Sequence, residues 1–275
     1  MSYPNHPISE FEKATTITAD AADPGLFHAT IPDQWQQGKG AFGGLVIGVL
    51  ARAILASEDA SARRLRSLSA DIPAPTLPGP VTVHVTTLRR GVSMTYLDAR
   101  LLQGGAVMAR ASASLAAARV VTPVTMKMEP PAVRPPWSDV PVVPVAPPFG
   151  PVFGQKYEYR STGPAPFAGG KEALAEGWIR ERAPRGEGID EPAIMGLLDA
   201  YWPTSFAIES APRGVATVGY TMQLLTDPHT LPPDEPLFYR ARGVAGAESF
   251  FVEMRELWSG DAVVALNQQT FALLG

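Results

Sequence analysis

Residues 191–204 read EPAIMGLLDAYWPT, a run that, beyond Glu191 at its start, places one carboxylate, Asp199, among residues that are apolar on nearly every side. Asp190 precedes the run as an N-cap, Glu191 and Pro192 fill the first turn, and Pro203 closes it. The spacing therefore predicts a helix over Glu191 to Thr204. Ile194, Met195, Leu197, Leu198, Tyr201 and Trp202 cover most of its circumference, the pattern of a helix enclosed by other structure. Burying an unpaired carboxylate is costly, so in such a helix Asp199 is expected to be hydrogen-bonded, protonated or used in chemistry. The plain alternative is an Asp facing solvent near the Trp202–Pro203 break.

Upstream, Leu26 to Ile31 (LFHATI) reads as a strand and Pro32 to Gly40 as a loop into Phe42–Gly43–Gly44. Leu45 to Ala56 (LVIGVLARAILA) is again apolar all round, with Gly48, Ala51 and Ala53 permitting close packing. Strand-like runs follow at Leu65 to Ile72 and Val81 to Leu88. Met94 to Leu102 and Ala106 to Leu115 then flank Gln103–Gly104–Gly105, a hairpin signal. Between Pro130 and Pro151 there are nine prolines in 22 residues, which excludes a central strand or a helix. That segment reads as an extended surface linker, packed through Trp137 and its valines.

Beyond the linker the order recurs: strand Gly177 to Arg182, the Asp199 helix, then strands Val215 to Leu225, Leu237 to Val244, Phe250 to Trp258 and Ala262 to Leu274. Setting Gly104 against Gly260 aligns LLQGGAVMA with LWSGDAVVA and Pro80 with Pro236, an offset near 156. One unit is written twice. A strand, one apolar helix and four antiparallel strands describe a sheet curled about that helix. The expected fold class is thus α+β, a double hot-dog with two antiparallel sheets each wrapped around a central helix. Residues 1–125 form the first unit, 126–152 the linker and 153–275 the second unit; the alternative is two unrelated α+β domains.

Composition narrows the partners. The 275 residues carry 23 basic and 27 acidic side chains without a basic block, which argues against nucleic acid. With no cysteine, disulfides, thiolate metal sites and a Cys nucleophile are excluded. No signal-peptide pattern opens the sequence and the longest apolar run, Ala41 to Leu50, is too short to span a bilayer. The expectation is a cytoplasmic protein with no membrane insertion. His6, His28, His84 and His229 lack metal-ligand spacing and no GxSxG occurs, so neither a metal site nor a Ser nucleophile is supported.

Duplication supplies an internal control. The first helix has no carboxylate between Ala41 and Ser57, the second has Asp199, and the hairpin alignment pairs Ala113 with Gln269. Thr217 lies on the strand after the second helix, where it is also an ordinary strand former. Gly43 and Gly44 either present backbone N–H groups to an anion or carbonyl oxygen, or simply allow tight helix entry.

The chain resembles the acyl-CoA thioesterase II (TesB-like) family from Leu26 to Leu274. The resemblance is carried by AFGGLVIG, the run from LRSLSADIP to RASASL, GWIRER, LLDAYWPT, VATVGYTM and VVALNQQ. It implies a double hot-dog hydrolase that cleaves acyl-CoA to free fatty acid and CoA, with Asp199, Thr217 and Gln269 as catalytic residues activating water. Gly43 and Gly44 are substrate-binding candidates, no cofactor is needed, and further self-association into a homo-oligomer is expected. Two departures bear on chain-length preference: Leu45 where the family commonly has Gln, and Gly219–Tyr220 where it has Asp-His. A non-catalytic acyl-CoA or lipid-binding module is the alternative, and a hot-dog hydratase or dehydratase, which needs an Asp/His pair, ranks behind it.

Overall fold

In the computed structural model, which describes residues 8–58, 63–118, 126–186 and 188–274, both apolar runs are helices lying against sheet. In chain order the first half comprises α1 (Glu10–Ala14), β1 (Ile17–Ala19), β2 (Leu26–Ile31), the small pair β3 (Gln36–Gln37) and β4 (Gly40–Ala41), and α2 (Gly43–Ala56). It continues through β5 (Arg64–Asp71), β6 (Gly79–Arg90), β7 (Met94–Gln103) and β8 (Ala106–Ala116). The second half comprises β9 (Tyr157–Ser161), β10 (Leu174–Glu181), α3 (Glu191–Ala200), β11 (Val215–Leu224), β12 (Leu237–Ala247), β13 (Phe250–Ser259) and β14 (Ala262–Leu273). Each predicted strand and helix is present within a few residues, while α1, β1, β9 and the short β3–β4 pair, which begins inside the loop expected from Pro32 to Gly40, were not anticipated.

The two sheets expected from the sequence are one. Twelve strands run in the order β1-β2-β6-β7-β8-β5-β11-β14-β13-β12-β10-β9, so the second half repeats the first in reverse across the β5–β11 join. At that join Ser69 lies opposite Thr221 and Leu68 opposite Met222. Pairing two strand edges satisfies backbone groups that separate sheets would leave open, which is why the boundary vanishes. The helices pack against each other, α2 also touching β5 to β8 and α3 touching β10 and β13. Both are buried along nearly their whole length. Phe11 of α1 wedges between them where neither has a side chain: a Cβ on Gly48 or Gly196 would stand 2.9 or 2.7 Å from its ring.

Helix α3 stops at Ala200, four residues short of the predicted end. Tyr201 is already extended at ψ 149°, and Trp202, preceding Pro203, is biased away from helix. Asp199 thus occupies the last turn. The Pro-rich segment runs along the second half, with the Trp137 ring 4.3 Å from the Arg160 guanidinium and 4.8 Å from that of Arg180. Val143 bridges Tyr159, and Val143 and Val145 pack on the core.

Candidate active site

Asp199 is 7% exposed and Gln269 is fully buried, and the two meet: Gln269 Nε2 donates to Asp199 Oδ1 at 3.0 Å. The same nitrogen donates to Asn267 Oδ1 at 3.0 Å, while Gln269 Oε1 accepts from Thr217 Oγ1 at 3.4 Å. The amide is therefore oriented at both ends. Thr217 reaches it because β11 carries a bulge: Thr217 faces Phe271, the next paired residue is Gly219, and Tyr220 lies opposite Gln269. An extra residue breaks strict alternation and re-aims the side chain on one side of it. The strand β5 has its own irregularity between Leu65 and Ser67, beside Leu115 and Ser114, so the bulge belongs to both copies and only Thr217 to the second.

The N-terminus of α2 completes the site from the first half. Phe42, at its N-cap, makes no side-chain capping bond. In its place stands the Asp199 carboxylate, to which the backbone N–H of Gly44 is directed. A Cβ on Gly43 would stand 2.9 Å from Asp199 Oδ2, and one on Gly44 3.0 Å from Asp199 Cβ, so only glycine lets the helices approach this closely. Both glycines thus permit the close approach, and Gly44 also turns its N–H toward the carboxylate. At a helix start, unpartnered N–H groups and the positive end of the dipole favour a negative charge.

Burial nonetheless pushes the Asp199 carboxyl above its ordinary value. The Arg255 cation, the Gln269 amide and the Gly44 N–H pull it down, and Glu253 adds to the upward push. Four phenols surround it electrostatically, those of Tyr157, Tyr159, Tyr220 and Tyr239, and burial holds all four well above the ordinary tyrosine value, hence neutral. Tyr220, part of one of the two departures from the resembling family, is fully buried directly across from Gln269, and its hydroxyl has no hydrogen-bond partner among the described residues. Leu45, the other, is also buried.

Other features fall elsewhere. A groove of about 740 Å³ lies beside β1, β2 and β6 and is lined by Lys13, His28 and His84 among others, with none of Asp199, Thr217 or Gln269 on its wall. Among the described residues no three His, Cys, Asp or Glu side chains stand close enough to share a metal ion, and no helix is long and apolar enough to cross a membrane.

A helix-backed antiparallel sheet of this order, holding a buried carboxylate and amide at the junction of its halves, defines a double hot-dog class of α+β protein. The chain belongs to the acyl-CoA thioesterase family: the model of that family's N-terminal domain matches residues 31–116 and that of its C-terminal domain residues 129–273. Solved structures agree on the fold. A hot-dog protein of unknown function from Alicyclobacillus acidocaldarius is 24% identical, with a TM-score of 0.85 over 96% of this chain and 98% of its own. A protein described as a thioesterase II from Thermobifida fusca is 20% identical, TM-score 0.82, covering 98% and 99%. The acyl-CoA thioesterase II TesB2 of Mycobacterium marinum is 17% identical, TM-score 0.73, covering 96% of each chain. A search of curated proteins returns no match.

Proposed function

We propose that the chain hydrolyses acyl-CoA to free fatty acid and CoA by direct attack of a water activated by Asp199, Thr217 and Gln269. The observation that carries this is the buried Gln269–Asp199 hydrogen bond, within the region matched by the thioesterase C-terminal domain. Asp199 takes a proton as the water oxygen bonds to the thioester carbonyl carbon. Gln269 and Thr217 fix that water's position. The carbonyl oxygen gathers negative charge beside the start of α2, where the Gly43 N–H is the donor that stabilises it. Collapse breaks the C–S bond, and the proton held by Asp199 leaves with the CoA sulfur as thiol. No metal or redox step enters.

In this reading residues 1–125 supply the helix start, 126–152 tie the units together, and 153–275 carry the catalytic side chains. The protein acts in the cytoplasm and self-associates. Light scattering at micromolar concentration tests the last point, a lone 29.3 kDa species counting against it.

The decisive assay is release of free thiol from acyl-CoAs of graded chain length. The expected result is catalytic thiol release with an optimum in chain length. Saturable acyl-CoA binding without thiol release would replace hydrolysis by the non-catalytic binding module.

A further inference from the structure

Strand register matches the two halves residue by residue. In the first hairpin Leu97 lies opposite Ala113 and Ala99 opposite Ala111. At the offset of 156, Glu253 lies opposite Gln269 and Arg255 opposite Asn267. All eight are buried. Four inward apolar positions of one copy have thus become an acid, a base and two amides in the other; the amides Gln269 and Asn267 belong to the site described above, while Glu253 and Arg255 have no role in it yet. The fold itself has no need of charge there, because Leu97 and Ala99 fill the same places.

The contacts of the charged pair lead to Asp199. Arg255, 1% exposed, donates from Nε to Glu253 Oε1 at 2.6 Å and from Nη1 to the Leu198 carbonyl at 2.6 Å. Its Nη1 stands 3.9 Å from Asp199 Oδ1. The other Glu253 oxygen accepts from the Thr204 N–H at 2.8 Å and the Thr204 hydroxyl at 2.7 Å. Glu253 is therefore anchored to the segment after α3, and it holds the guanidinium against the backbone of the residue preceding Asp199. The cation is close enough to act on the carboxylate and is kept from closing a full ion pair with it.

The geometry points to Arg255 and Glu253 as positioning residues for Asp199: Arg255 keeps the buried carboxylate anionic, and Glu253 holds Arg255 at the distance that leaves that carboxylate free to take a proton. An unaided carboxylate in so dry a place would neutralise itself, whereas a nearby arginine lowers a carboxylate by roughly one to three pH units. Too close a cation would make it too weak a base. The groups facing Asp199 are Arg255 and Glu253 of β13, the amide of Gln269 on β14, the Gly44 N–H of α2, and the neutral phenols of Tyr220 on β11, Tyr157 and Tyr159 on β9 and Tyr239 on β12. Arg255 and Glu253 are the two charged ones, so their removal acts with opposite sign.

This proposal rests on Asp199 being the base, and its test reads that separately. The acid limb of kcat/KM against pH is measured with the acyl-CoA that the parent cleaves fastest. Alongside it, the titration of Asp199 is followed by carboxyl 13C NMR on aspartate-labelled protein, the resonance assigned by its loss in Asp199→Asn. Arg255→Gln is expected to move both toward alkaline pH by about one unit or more, and Arg255→Lys to restore most of the shift. Glu253→Gln is expected to move both toward acid. If Arg255→Gln does not fold, Glu253→Gln still decides the sign. A folded Arg255→Gln or Glu253→Gln protein whose Asp199 titration stays with the parent overturns the proposal. Shifted NMR titrations in a chain that releases no thiol would leave the charge pair standing and remove the hydrolase reading.

Discussion

The two helix N-termini end in opposite ways. That of α3 is capped by its own Asp190, which accepts from the Ala193 N–H at 3.0 Å and is tied to Arg52 of α2 at 2.9 Å. That of α2 has no side-chain cap of its own and is met by Asp199 from α3. The same helix pairing therefore serves structure at one end and leaves a partly satisfied carboxylate at the other. Hairpins β7–β8 and β13–β14 repeat the contrast, the first wholly apolar inside and the second wholly polar at four matched positions. Duplication separates the two demands: one copy packs, and the other gives up apolar burial for a charged cluster. The first copy still contributes the helix start, so neither half holds the whole site.

Several changes would break or sharpen that contrast. Among variants that leave the carboxylate in place, the largest loss is expected for Gln269→Ala, a roughly ten- to hundredfold fall in kcat with little change in KM, read by thiol release. Thr217→Val removes one longer hydrogen bond and should cost roughly two- to tenfold. If both residues serve one water, as proposed, the double variant should lose less than the product of the single losses; simple multiplication would show that they act apart. Ala113→Gln places the second copy's amide into the first. Turnover should stay within about twofold of the parent, while the denaturation midpoint falls by the equivalent of about 1–3 kcal/mol for an unpaired buried amide.

Stability against pH gives the subtlest readout. Since burial raises the Asp199 carboxyl in the folded protein, the folded state binds that proton more tightly than the unfolded chain. Its contribution to stability therefore declines as pH climbs from the ordinary carboxylate value through the raised one, and stays low above it. Asp199→Asn should remove this decline, so denaturant melts of variant and parent should diverge in the variant's favour as pH rises through that window. A gap that narrows with rising pH would mean the carboxylate is stabilised as the anion.

Much of the fold was legible because it is written twice: the hairpins at Gly104 and Gly260 fix the register, and both helices are marked by apolar residues on every face. The short β1 and β9 were missed because three to five residues give no usable period. An open strand edge that invites the two units to meet side by side was legible, but its closure through β5 and β11 into one continuous sheet was not. At the site, Asp199 announced itself as the one carboxylate beyond the first turn of an otherwise apolar helix. Glu253 and Arg255 did not, since alternation in FFVEMRELW marks a strand without saying which face lies inside. The structure buries Glu253 and Arg255 and exposes Met254. A local rule fails where chemistry overrides packing. The signal was available in the offset of 156, which sets the two charges against Leu97 and Ala99.

One comparison bears most directly on the claim that the second copy's carboxylate does the chemistry: thiol release from acyl-CoA by folded Asp199→Asn, assayed beside the parent and the Ala113→Gln control. The expected result is a fall of roughly two to four orders of magnitude in Asp199→Asn, with the control near the parent. A well-folded Asp199→Asn protein that hydrolyses acyl-CoA close to the parent rate would contradict it.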